Sequence, residues 1–173
     1  MFRILILVFP ALVCLCSKRL NLRWPVEKLV SRRIPWRNLI LWCCGMLVVL
    51  WSIRLYVYGS RVVLSAFEPV LLLAALLAGV TEEFVFRGFL LNLQMSAWPT
   101  AAAIVVNVVC FLLFHYTELL FGLPLSTLLC GRTALLFGLG AAFSLMMIQS
   151  GNLLFPVLMH TLWDVAAYLL GLY

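Results

Sequence analysis

Apolar residues dominate six long segments of the chain, and polar or turn-forming residues separate them. Pro69 and Pro99 suit the first turn of a helix, and the stretch Ser150 to Asn152 is typical of a turn. Each segment approaches the ~20 apolar residues that an α-helix needs to cross a bilayer. The pattern therefore predicts an all-α, polytopic integral membrane bundle, a single domain with about six transmembrane helices. The predicted helices cover approximately residues 2–17, 38–58, 69–94, 99–116, 132–149 and 153–172.

The composition excludes a soluble globular protein. Of the 173 residues, 66% are hydrophobic and only 10% are charged. About half of the residues of a soluble domain are apolar, so a chain of this length could not bury the excess. Arg3 and the apolar stretch after it resemble a signal peptide, but no small-x-small cleavage site follows. We therefore expect the first segment to be retained as a membrane span.

The positive charge is concentrated between the first two apolar segments. The net charge is +6, and seven of the twelve Lys and Arg residues lie in the stretch 18–37, where only Glu27 opposes them. Nucleic-acid binding is one interpretation of such a run. Beside apolar spans, however, it is typical of a cytoplasmic loop or a lipid-facing surface. We expect a lipid bilayer as partner, no nucleic acid, and a multi-pass location in a bacterial inner membrane.

Three ionisable residues interrupt the third apolar segment, in the sequence GVTEEFVFRGFL. An ionised group at bilayer depth costs ~2.5–3.5 kcal/mol on insertion scales, so each must face a partner or a water-filled cavity. Arg87 follows Glu83 by four residues, which places the two on one helix face, close enough to pair. Glu82 is turned about 100° away around the helix. We therefore expect Glu83 to be neutralised by Arg87, with Glu82 left for another role.

The fourth and sixth segments carry the other candidate residues. His115 ends the run FLLFHY, while His160 and Asp164 are spaced i, i+4 in PVLMHTLWDVA and share a helix face. Counted from the flanking turns, Glu82, His115, His160 and Asp164 lie at depths of about 18, 24, 13 and 20 Å. The spacing predicts a buried polar site assembled from three helices. The simpler alternative is a structural ion pair with one additional protonated glutamate.

The order of these motifs resembles the CAAX protease and bacteriocin-processing (CPBP/Abi) family of intramembrane glutamic endopeptidases. The motifs are EExxxR at 82–87, FxxxH at 111–115 and HxxxN/D at 160–164. The resemblance covers about residues 69–170. It implies a four-helix catalytic core at 69–173, preceded by accessory spans and the basic loop at 1–68.

This resemblance implies hydrolysis of a peptide bond within the membrane, with no metal and no cofactor. By motif position, Glu82 is similar to the general base, which activates water together with His115. Glu83 and Arg87 are similar to the pair that fixes the geometry of the site. The substrate implied is a membrane-associated protein or peptide, cleaved in C-terminal processing or to remove a sorting segment or leader peptide.

By motif position, His160 and Asp164 are similar to the residues that stabilise the oxyanion formed during peptide-bond hydrolysis. Many members of the family carry Asn at the last position, where an ionised Asp can only accept hydrogen bonds. Asp164 is thus either protonated and a donor itself, or ionised and orienting His160.

Two other functions remain open on the sequence. Glu82, His115, His160 and Asp164 form a plausible ligand set for a metal-dependent intramembrane protease, although no HExxH motif is present. The second alternative is a non-catalytic membrane scaffold or a bacteriocin-immunity-type protein. The metal content of the purified protein distinguishes a metal-dependent protease from a glutamic one. Loss of processing on substitution of Glu82 distinguishes an enzyme from a non-catalytic scaffold.

Overall fold

The computed structural model describes residues 9–10, 12–13, 16, 20–59, 68–116 and 131–172. Over these residues all regular structure is helical, which confirms the prediction of an all-α bundle. The predicted first span, residues 2–17, lies largely outside the described residues. A short 3₁₀ turn at Val26–Lys28 precedes the long helices. The helices are α1 (Trp36–Tyr58), α2 (Pro69–Glu83), a π-helical segment (Phe84–Leu91), α3 (Asn92–Ala97), α4 (Thr100–Tyr116), α5 (Gly131–Ser150) and α6 (Leu154–Leu169).

Three of these helices are long and apolar enough to cross a membrane. They are α1, the continuous helix from Pro69 to Ala97, and α5, with 23, 29 and 20 residues. Helices α4 and α6 are also apolar but have only 17 and 16 residues. The chain is therefore an integral membrane protein, and every predicted apolar segment that the structure describes is a helix.

The helix predicted over residues 69–94 is present, but it is not α-helical throughout. Residues Phe84–Leu91 form a π-helix, a wider turn inserted between α2 and α3. Two buried amides donate to carbonyl oxygens of this segment: Asn107 Nδ2 to Phe86 O at 2.7 Å and Asn92 Nδ2 to Gly88 O at 3.1 Å. Short π-helical insertions are rare and frequently occur at functional sites.

The residues before α1 are docked on the core rather than free of it. Asn92 holds Trp24 at two points, accepting its backbone N–H and donating to its carbonyl oxygen, both at 2.7 Å. The backbone N–H of Leu153 donates to Leu29 O at 2.6 Å. Trp24 and Leu29 are buried in one apolar cluster with Leu91 and other core residues. We call residues 20–35 the docked segment.

Helices α2 and α6 approach each other closely at Gly79. A Cβ atom at this position would lie 2.5 Å from Thr161 Oγ1 and 3.2 Å from two backbone atoms of α6, Thr161 N and Val157 O. The hydroxyl could rotate away, but the backbone atoms could not. Gly79 thus permits the approach that brings Glu83 on α2 close to His160 on α6.

We expect Gly79→Ala to destabilise the protein by forcing α2 away from α6. Overpacking of this kind costs about 1–3 kcal/mol, which exceeds the ~1 kcal/mol that Ala gains over Gly in helix propensity. The melting temperature in detergent should therefore fall. Gly138→Ala in α5 is the matched control, because nothing lies within 4 Å of the added methyl group. Equal melting temperatures for the two variants would contradict the steric argument.

Candidate active site

Glu83 lies at the centre of the polar cluster and binds two partners. Its Oε1 atom lies 2.8 Å from Arg87 Nη1 and 2.8 Å from His160 Nδ1. The side chains of Glu83 and Arg87 are both fully buried. The ion pair predicted from the i, i+4 spacing is confirmed, whereas the hydrogen bond to His160, 77 residues away in the chain, was not predicted.

Arg87 connects the π-helical segment to two further helices. Its second amino group, Nη2, donates to the carbonyl oxygen of Gly140 on α5 at 2.9 Å. The guanidinium carbon lies 4.5 Å from the ring centre of Phe111 on α4 and 5.4 Å from that of Phe143 on α5. The cation therefore lies among a carboxylate, a carbonyl dipole and aromatic rings, which replace part of its hydration.

Glu82 faces the two histidines of the chain. Its Oε2 atom lies 3.7 Å from His115 Nε2 and 4.0 Å from His160 Nε2. His160 Nε2 in turn lies 3.7 Å from Asp164 Oδ2. All three separations exceed the length of a direct hydrogen bond. The predicted meeting of Glu82, His115, His160 and Asp164 in one layer is confirmed.

The partners of the imidazole rings assign their tautomers. His115 Nδ1 lies 3.0 Å from the carbonyl oxygen of Phe111, which can only accept, so Nδ1 carries a proton and Nε2 faces Glu82. His160 Nδ1 donates to Glu83, which leaves Nε2 facing Glu82 and Asp164. Glu83 thus fixes a proton on Nδ1 of His160, and the role of Asp164 beside Nε2 stays a prediction.

The site residues differ in their exposure to solvent. Glu83 and Arg87 are fully buried, whereas the side chains of Glu82, Asp164 and His115 are 16%, 17% and 21% exposed. Contacts with aromatic rings restrict both imidazoles. Phe143 stacks on His160 at 4.9 Å between ring centres, and Phe111 lies 4.3 Å from His115.

A comparison with protein families matches residues 64–166 to the model of the type II CAAX prenyl endopeptidase Rce1-like family. All six candidate site residues lie within this range. The chain belongs to the type II CAAX prenyl endopeptidase Rce1-like family. The resemblance stated from the three motifs is thereby confirmed. No curated protein and no solved structure matches the chain.

Membership in the Rce1-like family indicates a membrane peptidase that acts on a protein or peptide. The individual roles of the six residues remain predictions. Within the described residues, no group of three His, Cys, Asp or Glu side chains is arranged to hold a metal ion.

Sequence reasoning missed the buried amides that support this Rce1-like site. Asn107 on α4 is fully buried and donates to Phe86 O, one residue before Arg87. Asn92 is also fully buried and donates to Gly88 O, one residue after Arg87. The sequence did contain a signal for these contacts. An amide side chain within an apolar membrane helix indicates a buried hydrogen bond.

We expect Arg87→Met to lower the melting temperature in detergent, because it keeps the volume but leaves the Glu83 charge without its cation. Removing one partner of a buried pair costs about 3–5 kcal/mol, and the remaining bond to His160 offsets part of this. Glu83→Gln combined with Arg87→Met removes both charges and should recover part of the loss. A double variant less stable than Arg87→Met alone would contradict the pairing.

Proposed function

We propose that this chain is an intramembrane glutamic endopeptidase that hydrolyses a peptide bond without a metal, with Glu82 as general base. The observation that carries the proposal is the position of Glu82 Oε2 between two imidazoles. This atom lies 3.7 Å from His115 Nε2 and 4.0 Å from His160 Nε2. Groups at such separations can act on one small molecule held between them. The family adds that the reaction is peptide-bond cleavage.

The nucleophile in this mechanism is a water molecule bound by Glu82 and His115. Both groups accept hydrogen bonds, since Glu82 is a carboxylate and the His115 proton is committed to Phe111 O. A water that donates one proton to each directs its lone pairs away from them, toward a substrate carbonyl carbon. Attack then transfers a proton to Glu82, which can return it to the leaving amine.

His160 is the candidate donor to the oxyanion that forms on the carbonyl. Its Nδ1 proton is held by Glu83, and a second proton on Nε2 would face the reacting centre beside Glu82 and Asp164. Because Arg87 and Phe143 hold Glu83 and the imidazole in place, the donor needs little reorganisation when charge develops. Preorganised donors of this kind are a major source of catalysis.

The substrate we propose is a protein or peptide anchored in the same membrane, cleaved near its C-terminus or at a sorting or leader segment. The description of the family, a prenyl endopeptidase, supports a substrate held at the bilayer by an apolar group. The partly exposed side chains of Glu82, His115 and Asp164 lie among apolar helices, and we expect the substrate to reach them from the membrane. A bacterial inner membrane is the location we propose.

We expect Glu82→Gln to abolish processing, because an amide cannot take up the proton of water. His115→Ala should also be inactive. The measurement is proteomics of membranes with and without the gene to identify an unprocessed substrate, followed by complementation with each variant. Both variants should accumulate in the membrane like the wild type.

Glu68→Gln is the matched control, since Glu68 is an exposed glutamate immediately before α2. It should process the substrate normally. Near-normal processing by Glu82→Gln would overturn the glutamic mechanism, and processing that persists in the absence of the gene would assign the activity to another protein.

Substitution of Asp164 tests its role beside His160. Asp164→Asn keeps the shape and a donor, and the family pattern accepts Asn, so we expect substantial activity. Asp164→Ala should lose about 10²–10³-fold in rate, the loss expected when one oxyanion donor is removed. Rates of substrate cleavage by the purified variants measure both. The reverse order, with Asn inactive and Ala active, would indicate that the carboxylate is a base or a metal ligand.

A further inference from the structure

The docked segment and the first residues of α1 carry a dense group of exposed cations. Five basic side chains are exposed between positions 23 and 37, and Glu27 is the single acidic residue in that stretch. None of these cations is used by the candidate active site. They are Arg23, Lys28, Arg32, Arg33 and Arg37.

The backbone that carries these cations is held in place by the core. Trp24 is bound at both its N–H and its carbonyl by Asn92, and Leu29 O accepts from Leu153 N–H. Asn152 Nδ2 donates to the carbonyl oxygen of Arg32. These attachment points lie at or beside the cationic residues, so the backbone that carries the positive charges has a fixed position relative to the bundle.

The contacts of the docked segment place it at one end of the helical bundle. Asn152 and Leu153 form the turn between α5 and α6, and α1 begins at Trp36, directly after the docked segment. Trp36 is 77% exposed and Val30 is 55% exposed. Exposed tryptophan and aliphatic side chains among cations, at the end of a membrane-spanning helix, are typical of the lipid–water interface.

We propose that residues 23–37 form a binding surface for anionic phospholipid headgroups. Arg and Lys bind the phosphate oxygens, while Trp36 and Val30 contact the upper part of the acyl chains. Nucleic acid would have to contact exposed apolar side chains next to a membrane-spanning helix, which makes lipid the better fit. The proposal does not rest on peptidase activity, so its test does not need a substrate.

Native mass spectrometry of the full chain in detergent, titrated with phosphatidylglycerol or phosphatidylcholine, tests this surface. Engagement of two or more cations should make the apparent affinity for phosphatidylglycerol roughly tenfold tighter or more. Replacing Arg23, Lys28, Arg33 and Arg37 together by Gln should remove that preference. Arg32 is left unchanged, because its guanidinium lies against Gly151, with Nη1 2.9 Å from where a Cβ would be.

Two single variants with the same net charge separate the effect of position from that of total charge. Arg33→Gln should weaken phosphatidylglycerol binding, whereas Arg132→Gln, an exposed cation at the opposite end of α5, should not. Unchanged melting temperatures in lipid-free detergent show that the variants remain folded. Added salt should weaken the preference, because exposed charges are screened.

Three outcomes would overturn the proposal. One is equal affinity for the two lipids. Another is competition by glycerol phosphate at the same concentrations as phosphatidylglycerol, which would indicate a phosphate site rather than a lipid surface. The third is tight binding of single-stranded RNA, lost in the quadruple variant, without any lipid preference.

Discussion

The structure of this site depends on one buried carboxylate. Glu83 has no access to solvent, and its Oε1 atom is shared by Arg87 and His160. In a bilayer no water is at hand to replace a lost partner, so a displacement of either partner exposes the carboxylate charge to an apolar medium. Arg87 extends the constraint to α5 through Gly140 O. One charge thereby sets the relative positions of α2, the π-helical segment, α5 and α6.

The position of the second glutamate follows from the first. Glu82 precedes Glu83 on the same helix and points to the space between His115 and His160. The two adjacent carboxylates therefore have different surroundings. Glu83 is fully buried and bonded through Oε1 to Arg87 and His160, whereas the Glu82 side chain is partly exposed and bordered by imidazoles. The proposed hydrolytic mechanism needs this difference, since in that mechanism Glu83 keeps its position and Glu82 exchanges protons with substrate and water.

The docked segment and the candidate site share the π-helical segment. Asn92 Nδ2 donates both to Trp24 O and to Gly88 O, and Gly88 is the residue after Arg87. On the other side of Arg87, Asn107 donates to Phe86 O. The wider helical turn that carries Arg87 is thus bonded to residues before α1 and to α4. A lipid-binding surface on the docked segment would be attached to the core at this same asparagine.

The local pattern of residues determined the helices and much of the site. Apolar runs of membrane-spanning length predicted the all-α bundle, and the i, i+4 spacing of Glu83 and Arg87 was sufficient to predict their ion pair, because the backbone of a single helix sets that geometry. Counting the helical rise from the turns placed Glu82, His115, His160 and Asp164 at one level. The order of the motifs was enough to indicate the family.

Only the tertiary structure decided which faces of different helices meet. The bond from His160 to Glu83 depends on the rotation of α6 about its own axis and on its closeness to α2, which Gly79 permits. The π-helical segment likewise receives a hydrogen bond from another helix, donated by Asn107 to Phe86 O, and the local sequence around Phe86 does not contain that donor. Helical periodicity describes one helix at a time, whereas rotation and approach are set by packing between helices. For that reason the clustering of these side chains was predictable, and the hydrogen bonds between helices were not.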